Sequence, residues 1–223
     1  MTMMVTLRAR SPLAVYGSAL HRAGTDAPVP VTAVGPDGTR RTFLPADWCA
    51  DRLPGDDGLL RRCTGPILDV GCGPGRLTAA LTASGHAALG VDISADAVRL
   101  TRRRGARALR RDVFTPLPGE GTWDSILLAD GNIGIGGDPV GLLRRCRALA
   151  TPPGRVLVEL DPPGWRTWAG PVRITTEDGP ASTPFRWAFV STDHLPRLAH
   201  TAGLRIHERW TEAARWFASL AAP

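Results

Sequence analysis

The 223-residue chain contains no lysine and no glutamine, and asparagine occurs once, at position 132. Without lysine there can be no Walker-type phosphate loop, whose lysine reaches the terminal phosphates of a nucleotide. Cysteines 49, 63, 72 and 146 form no C-x-x-C pair and have no histidine at zinc spacing. Neither a metal site nor a disulfide framework is therefore expected, and the four read as reduced thiols of a cytoplasmic protein. No uninterrupted apolar run approaches the roughly 18 residues of a membrane span. None follows Arg8 and Arg10 either, so no signal peptide is expected. The G-x-S-x-G elbow of many hydrolases is missing too.

The net charge of +6 invites an anionic partner. Yet every basic side chain of the Lys and Arg class is arginine, which codon bias in a GC-rich genome explains equally well. No basic stretch is interleaved with aromatics in the manner of a base-stacking surface. Arg102–Arg104 fall in the last turn of a predicted helix, where positive charge complements the helix dipole, so they read as a solvated helix end. A hydrophobic content of 43% argues against disorder, and the length suits one domain with a decorated N-terminus.

The informative stretch is Ile67–Arg76, an apolar strand running into glycines at 71, 73 and 75 and then into a helical segment. Three glycines remove the Cβ atoms that would hold a ligand off the backbone, and they leave amides outward at a helix start. With Arg76 next, the spacing fails the third glycine of the dinucleotide fingerprint G-x-G-x-x-G, which disfavours NAD. A second acid, Asp92, closes the next apolar run about 20 residues on, where a Rossmann-like site places a carboxylate on a ribose diol. Arg111–Asp112–Val113 ends a third run.

The run Asp69, Gly71, Gly73, Gly75 resembles the first motif, of the type D-x-G-x-G-x-G, of class I S-adenosylmethionine-dependent methyltransferases. The resemblance spans roughly Arg61 to Leu220. It implies S-adenosylmethionine as cofactor, with no metal, and S-adenosylhomocysteine as product. It further implies a cofactor site of Asp69, Gly71, Cys72, Gly73, Gly75, Asp92, Ile93, Asp112, Val113, Ala129 and Asp130, in which Asp112 stands where the family holds the adenine amino group.

Strand and helix patterns alternate from residue 67 on. Helices are predicted after Ser94 and after Asp138–Pro139, with Gly85, Gly105 and Gly203 as stops. The fold class expected is α/β: a Rossmann-like, three-layer arrangement around a seven-stranded, mostly parallel sheet with an antiparallel last strand. Residues 1–60 lack this rhythm and read as an N-terminal cap or lid on a body of residues 61–223. Within the cap, Gly35–Pro36–Asp37–Gly38 between Val31–Val34 and Thr39–Leu44 predicts a β-hairpin. Residues 170–190 break the rhythm as an extra hairpin, at Arg173–Thr176 and Phe185–Val190. One of Ser191, Thr192 or Asp193 is expected to cap the next helix, and runs 204–210 and 215–220 to close the sheet.

Methyl transfer from a sulfonium is an in-line displacement, so the protein chiefly aligns the acceptor and excludes water, adding a base where a proton must leave. The segment Asp130–Gly137 follows the predicted central strand. Asn132 there either orients an acceptor or tolerates a left-handed turn. The segment departs from the Asp/Asn-Pro-Pro-Tyr pattern of enzymes that methylate bases and glutamine amides. Candidate catalytic residues are Asn132, Asp130, His194 and Asp161, with His21 a second possible base. Candidate acceptor walls are Tyr16 and Trp48 of the cap and Trp165, Trp168 and Trp187 beyond Glu159; Trp48 could equally pack the cap onto the body. His86 and His200 are assigned to structure. The overall reading is a methyltransferase for an O, N or C atom of a small molecule of the specialised-metabolite kind, as monomer or homodimer, without nucleic-acid or membrane partners. An RNA methyltransferase or a non-catalytic cofactor-binding relative are the alternatives, with a NAD-linked enzyme a distant third.

Overall fold

A computed structural model describes residues 9–23, 29–177 and 179–223. Arg8 lies outside them. The body is built on β3 (Ile67–Val70), α4 (Arg76–Ala83), β4 (Ala88–Asp92), α5 (Ala95–Arg103), β5 (Ala108–Arg110), β6 (Trp123–Leu128), α6 (Pro139–Leu149) and β7 (Ala150–Leu160). After α7 (Leu195–Thr201), β10 (Arg205–Glu212) and β11 (Arg215–Ala221) complete it. Its seven strands lie in the order β10-β11-β7-β6-β3-β4-β5. Strands β3 to β7 pair in parallel, whereas β11 runs antiparallel to both β7 and β10. Buried aliphatic runs such as Ile126–Leu128 and Val156–Val158 fit strands covered on both faces. Ala213 and Ala214, both at positive φ, make the tight turn between the closing strands.

Four further strands form a second sheet. The predicted N-terminal hairpin is present as β1 (Val31–Val34) and β2 (Arg40–Phe43), and the extra hairpin as β8 (Trp168–Thr175) and β9 (Phe185–Phe189). They join in the order β2-β1-β8-β9. The helix α1 (Pro12–Arg22) packs Val15 and Ala19 into that sheet's own apolar cluster, and the short helices α2 (Pro45–Cys49) and α3 (Asp56–Leu60) lead into the body.

Three local expectations shift. Pro152–Pro153–Gly154 reads in the sequence as a turn into a strand at 155–160, but β7 begins at Ala150, directly after α6, because Pro152 and Pro153 are accommodated at a register irregularity opposite Trp123 and Ser125. The cap of α7 is His194 with no side-chain hydrogen bond, since Asp193 is already committed as acceptor of the Gly164 amide. Arg102 and Arg104 are not free helix-end charges: Arg102 donates to the Ala108 carbonyl, and Arg104 to Asp51 and the Cys49 carbonyl. Among the described residues no helix is long and apolar enough to cross a membrane, and no three metal-ligating side chains cluster.

Candidate functional site

The carboxyl ends of the parallel strands define the site, as an open α/β sheet requires. Gly71, Gly73 and Gly75 follow β3 at φ of 71°, 55° and 90°. A Cβ at Gly75 would come within 2.7 Å of Thr101, and one at Gly71 within 2.8 Å of Asn132. The turn thus needs glycine for conformation and for clearance.

Three acids play different parts. Asp69 lies beneath the turn, where its carboxylate accepts the Thr78 hydroxyl at 2.6 Å and burial raises its pKa to about 6. It holds α4 against β3. Asp92, at the end of β4, accepts the Gly73 amide at 3.0 Å and the Ser94 amide at 2.7 Å, with its pKa raised by burial despite those bonds. Two acceptors remain for a ligand on a carboxylate with about four lone-pair positions. Asp112 follows β5 and accepts the Phe114 amide; near it Ile93 and Phe114 remain exposed although large and apolar, as suits a slot for a flat ring. Cys72, Val113 and Ala129 are buried, Cys72 with its thiol against Thr101 and burial pushing its pKa well up.

Asp130 and Asn132 turn out to be engaged. Asn132 donates its side-chain amide to the carbonyls of Val70 and Gly71, tying the segment after β6 to the glycine turn. The left-handed residues are its neighbours Asp130, at φ 52°, and Gly131. Neither reading made for Asn132 matches this clamp. Asp130 receives two hydrogen bonds from Arg76, at 2.7 and 2.6 Å, while its own amide donates to Glu159 at 2.7 Å. It therefore holds the loop in a conformation that costs a non-glycine residue on the order of 1 kcal/mol or more, and it is no free base.

The rest of this charge network was not foreseen. Arg76 bridges Asp130 to Asp56, which is fully buried, and Arg215 links Asp56 to both oxygens of Glu159. One signal existed in the sequence: a cation at the first position of α4 opposes the helix dipole and demands nearby carboxylates. Nothing local marked Asp56 or Arg215 as those partners.

Above the turn, the Tyr16 hydroxyl lies 3.2 Å from where a Gly73 Cβ would be. Burial, reinforced by Asp92, raises the phenol's pKa well above its usual value. Tyr16 packs edge-on to Trp48 at 5.6 Å between ring centroids, and Trp48 against Phe43 of β2 at 5.8 Å. Trp187 of β9 abuts Gly134 in the 3-10 turn Asn132–Gly137. Trp168 packs on Phe189 within the second sheet, whereas Trp165 is exposed beneath the guanidinium of Arg41. Asp161 follows β7 near that guanidinium. His194 and His21 are both exposed, at the start of α7 and the end of α1.

Residues 67–154 match the family model described as a methyltransferase domain, and the fold is that of class I S-adenosylmethionine-dependent methyltransferases. No curated protein sequence matches the chain. Among solved structures, one similar fold is a SAM-dependent methyltransferase from Bacteroides fragilis in complex with S-adenosylhomocysteine, at 23% identity and TM-score 0.74, covering 97% of both chains. The CcbJ methyltransferase from Streptomyces caelestis is similar at 18% identity and TM-score 0.58, over 78% of this chain and 98% of its own. The 1,6-didemethyltoxoflavin-N1-methyltransferase from Burkholderia thailandensis, solved with 1,6-didemethyltoxoflavin and S-adenosylhomocysteine, shares 20% identity at TM-score 0.54, over 79% and 80% of the two chains.

Proposed function

We propose that the chain transfers a methyl group from S-adenosylmethionine to a small-molecule acceptor. One observation carries the reading: the cradle of Gly71, Gly73 and Gly75 opens at the ends of β3 and β4 with Asp92 and Asp112 beside it. These residues fit the cofactor. Cβ-free backbone suits the methionine end, Asp92 has acceptors left for the ribose diol, and exposed Ile93 and Phe114 suit the adenine. When bound, the cofactor supplies an activated methyl on a sulfonium, so the chain's own task is alignment and exclusion of water.

Residues 9–60 serve that task as a lid over a body that begins near residue 61. Tyr16 lies over the glycine turn, and Trp48 and Phe43 of β2 pack behind it in one aromatic group. The acceptor enters between this lid and the ends of β6 and β7, where Trp187 meets the 3-10 turn. The 1,6-didemethyltoxoflavin-N1-methyltransferase among the similar folds, solved with 1,6-didemethyltoxoflavin bound, supports an acceptor of small-molecule type.

Titration calorimetry with S-adenosylhomocysteine and, separately, NAD tests the reading. We expect micromolar binding of the former, none of the latter, and a loss of at least tenfold in Asp92→Asn, which keeps an acceptor for the Gly73 amide. Binding of NAD alone, or of neither, refutes it.

A further inference from the structure

One face of the second sheet packs on α1 and, at β9, meets the 3-10 turn after β6, and the register identifies the residues on that face. Phe43 lies opposite Val31, Ile174 opposite Ala33, and Trp187 opposite Gly170, with Phe189 next along β9. Every inward position is apolar or glycine except Arg41, which sits opposite Ala33. A single arginine on an aromatic roof needs a reason, because burying a cation without full hydrogen bonding is costly.

The local contacts do not complete its bonding. The Arg41 guanidinium stands 4.1 Å from the Trp165 ring centroid and 5.4 Å from that of Phe189, so two rings fix its plane. Its nearest carboxylate is Asp161 at 3.6 Å, an ion pair too long for a hydrogen bond. Among the described residues, Arg41 Nε and Asp161 Oδ2 both lack hydrogen-bond partners. The side chains are 24% and 25% exposed, so part of each is reachable from solvent. A planar guanidinium, held by stacking and short of acceptors, is suited to take a carboxylate in a two-bond fork.

We propose that Arg41 anchors a subsite for a carboxylate carried by the methyl acceptor, with Trp165 and Phe189 walling the adjoining apolar part of the same molecule. The proposal rests on the reading above that the acceptor enters beneath this roof. Asp161 keeps the guanidinium in place before the ligand arrives, and burial, which raises its pKa, weakens its hold as an anion. An ammonium-bearing acceptor fits less well. It would have Asp161, Trp165 and Phe189 to itself only after Arg41 had left.

Three probes of equal size separate the possibilities: 3-phenylpropionate, 3-phenylpropionamide and 3-phenylpropylamine, titrated with and without S-adenosylhomocysteine while tryptophan fluorescence is followed. We expect the acid to bind at least tenfold more tightly than the amide. Arg41→Met should reduce it to the level of the amide, and Arg41→Lys, which keeps the charge but loses the fork, should restore only part. Affinity for S-adenosylhomocysteine should stay unchanged in both variants, which also reports that they fold. Equal binding of acid and amide overturns the subsite, as does failure of every probe to bind. So does an amine that binds best and tightens in Arg41→Met. Failure of S-adenosylhomocysteine to bind the parent protein instead refutes the functional reading, and the acid-to-amide ratio without it still reports on Arg41.

Discussion

The two sheets are built by opposite means. At the ends of the seven-stranded sheet the chain concentrates charge: Asp56, Arg76, Asp130, Glu159 and Arg215 interlock, with Asp69 and Asp92 close to the glycine turn. The four-stranded sheet offers aromatic rings and one arginine. A protein of net charge +6 thus carries three carboxylates and two guanidiniums, a net negative group, beside the turn that would hold its cofactor. The cradle is fixed by buried ion pairs with little freedom to move. The roof is fixed by ring packing, which tolerates change of shape.

If that contrast holds, arginine should matter for stability in one half and hardly in the other. Arg76→Met takes from Asp56 and Asp130 the guanidinium that bridges them, whose side chain is 2% exposed, and leaves Arg215 as the one cation near both. A loss of about 3–5 kcal/mol is expected for such a broken buried pair. Arg41→Met removes one long ion pair and a stacked cation, and should cost about 1 kcal/mol or less. Urea unfolding of both variants checks this. Equal losses would mean that the cradle is held by something other than its charges.

The same contrast governs what could be read in the sequence. The cradle was legible because its glycines and acids are spaced by short strand–turn–helix units: the turn Gly71–Gly75 follows the run Ile67–Val70, and Asp92 closes the apolar run before it. The roof was legible only in pieces. The first hairpin showed its turn chemistry and the second a break in the strand–helix rhythm, but that β1 pairs with β8 depends on contacts about 140 residues apart in the chain, which no local pattern encodes. The charge network failed to show for a similar reason. Asp56 looks like a helix-start acid and Arg215 like the first residue of a closing strand until the fold brings them within 2.8 Å. Asn132 was singled out for its rarity, and the structure gives it a different task, since a carboxamide can bind two carbonyls where a carboxylate cannot.

A second, smaller effect concerns pH. The pKa of Asp69 is about 6 in the folded chain against 3.8 for the free group, because its carboxylate is buried. The native state therefore binds more protons than the unfolded state between pH 4 and 6. Stability from this group is greatest below pH 4 and falls as pH rises through that window, by about 3 kcal/mol for a shift of some two units. Carboxylates whose pKa is lowered, such as Asp56, act in the opposite sense, so the quantity to measure is the difference between parent and Asp69→Asn. The variant retains an acceptor for the Thr78 hydroxyl. Its stability relative to the parent should increase from pH 4.5 to pH 7, and a difference that stays flat would place the Asp69 carboxyl in a wetter setting than the cradle described.

The smallest expected effect lies in the roof. Trp165 is exposed and its ring contact among the described residues is the stacked guanidinium of Arg41, so Trp165→Leu should cost no more than about 1 kcal/mol in thermal or urea unfolding. In the double variant Trp165→Leu with Arg41→Met the two losses should fall short of their sum by roughly the cation–ring contact, because either change alone already removes it. Strict additivity would separate the two side chains energetically. A loss above 2 kcal/mol from Trp165→Leu would instead make the roof as rigid as the cradle, and the contrast between a charge-locked cofactor half and an adaptable acceptor half would have to be abandoned.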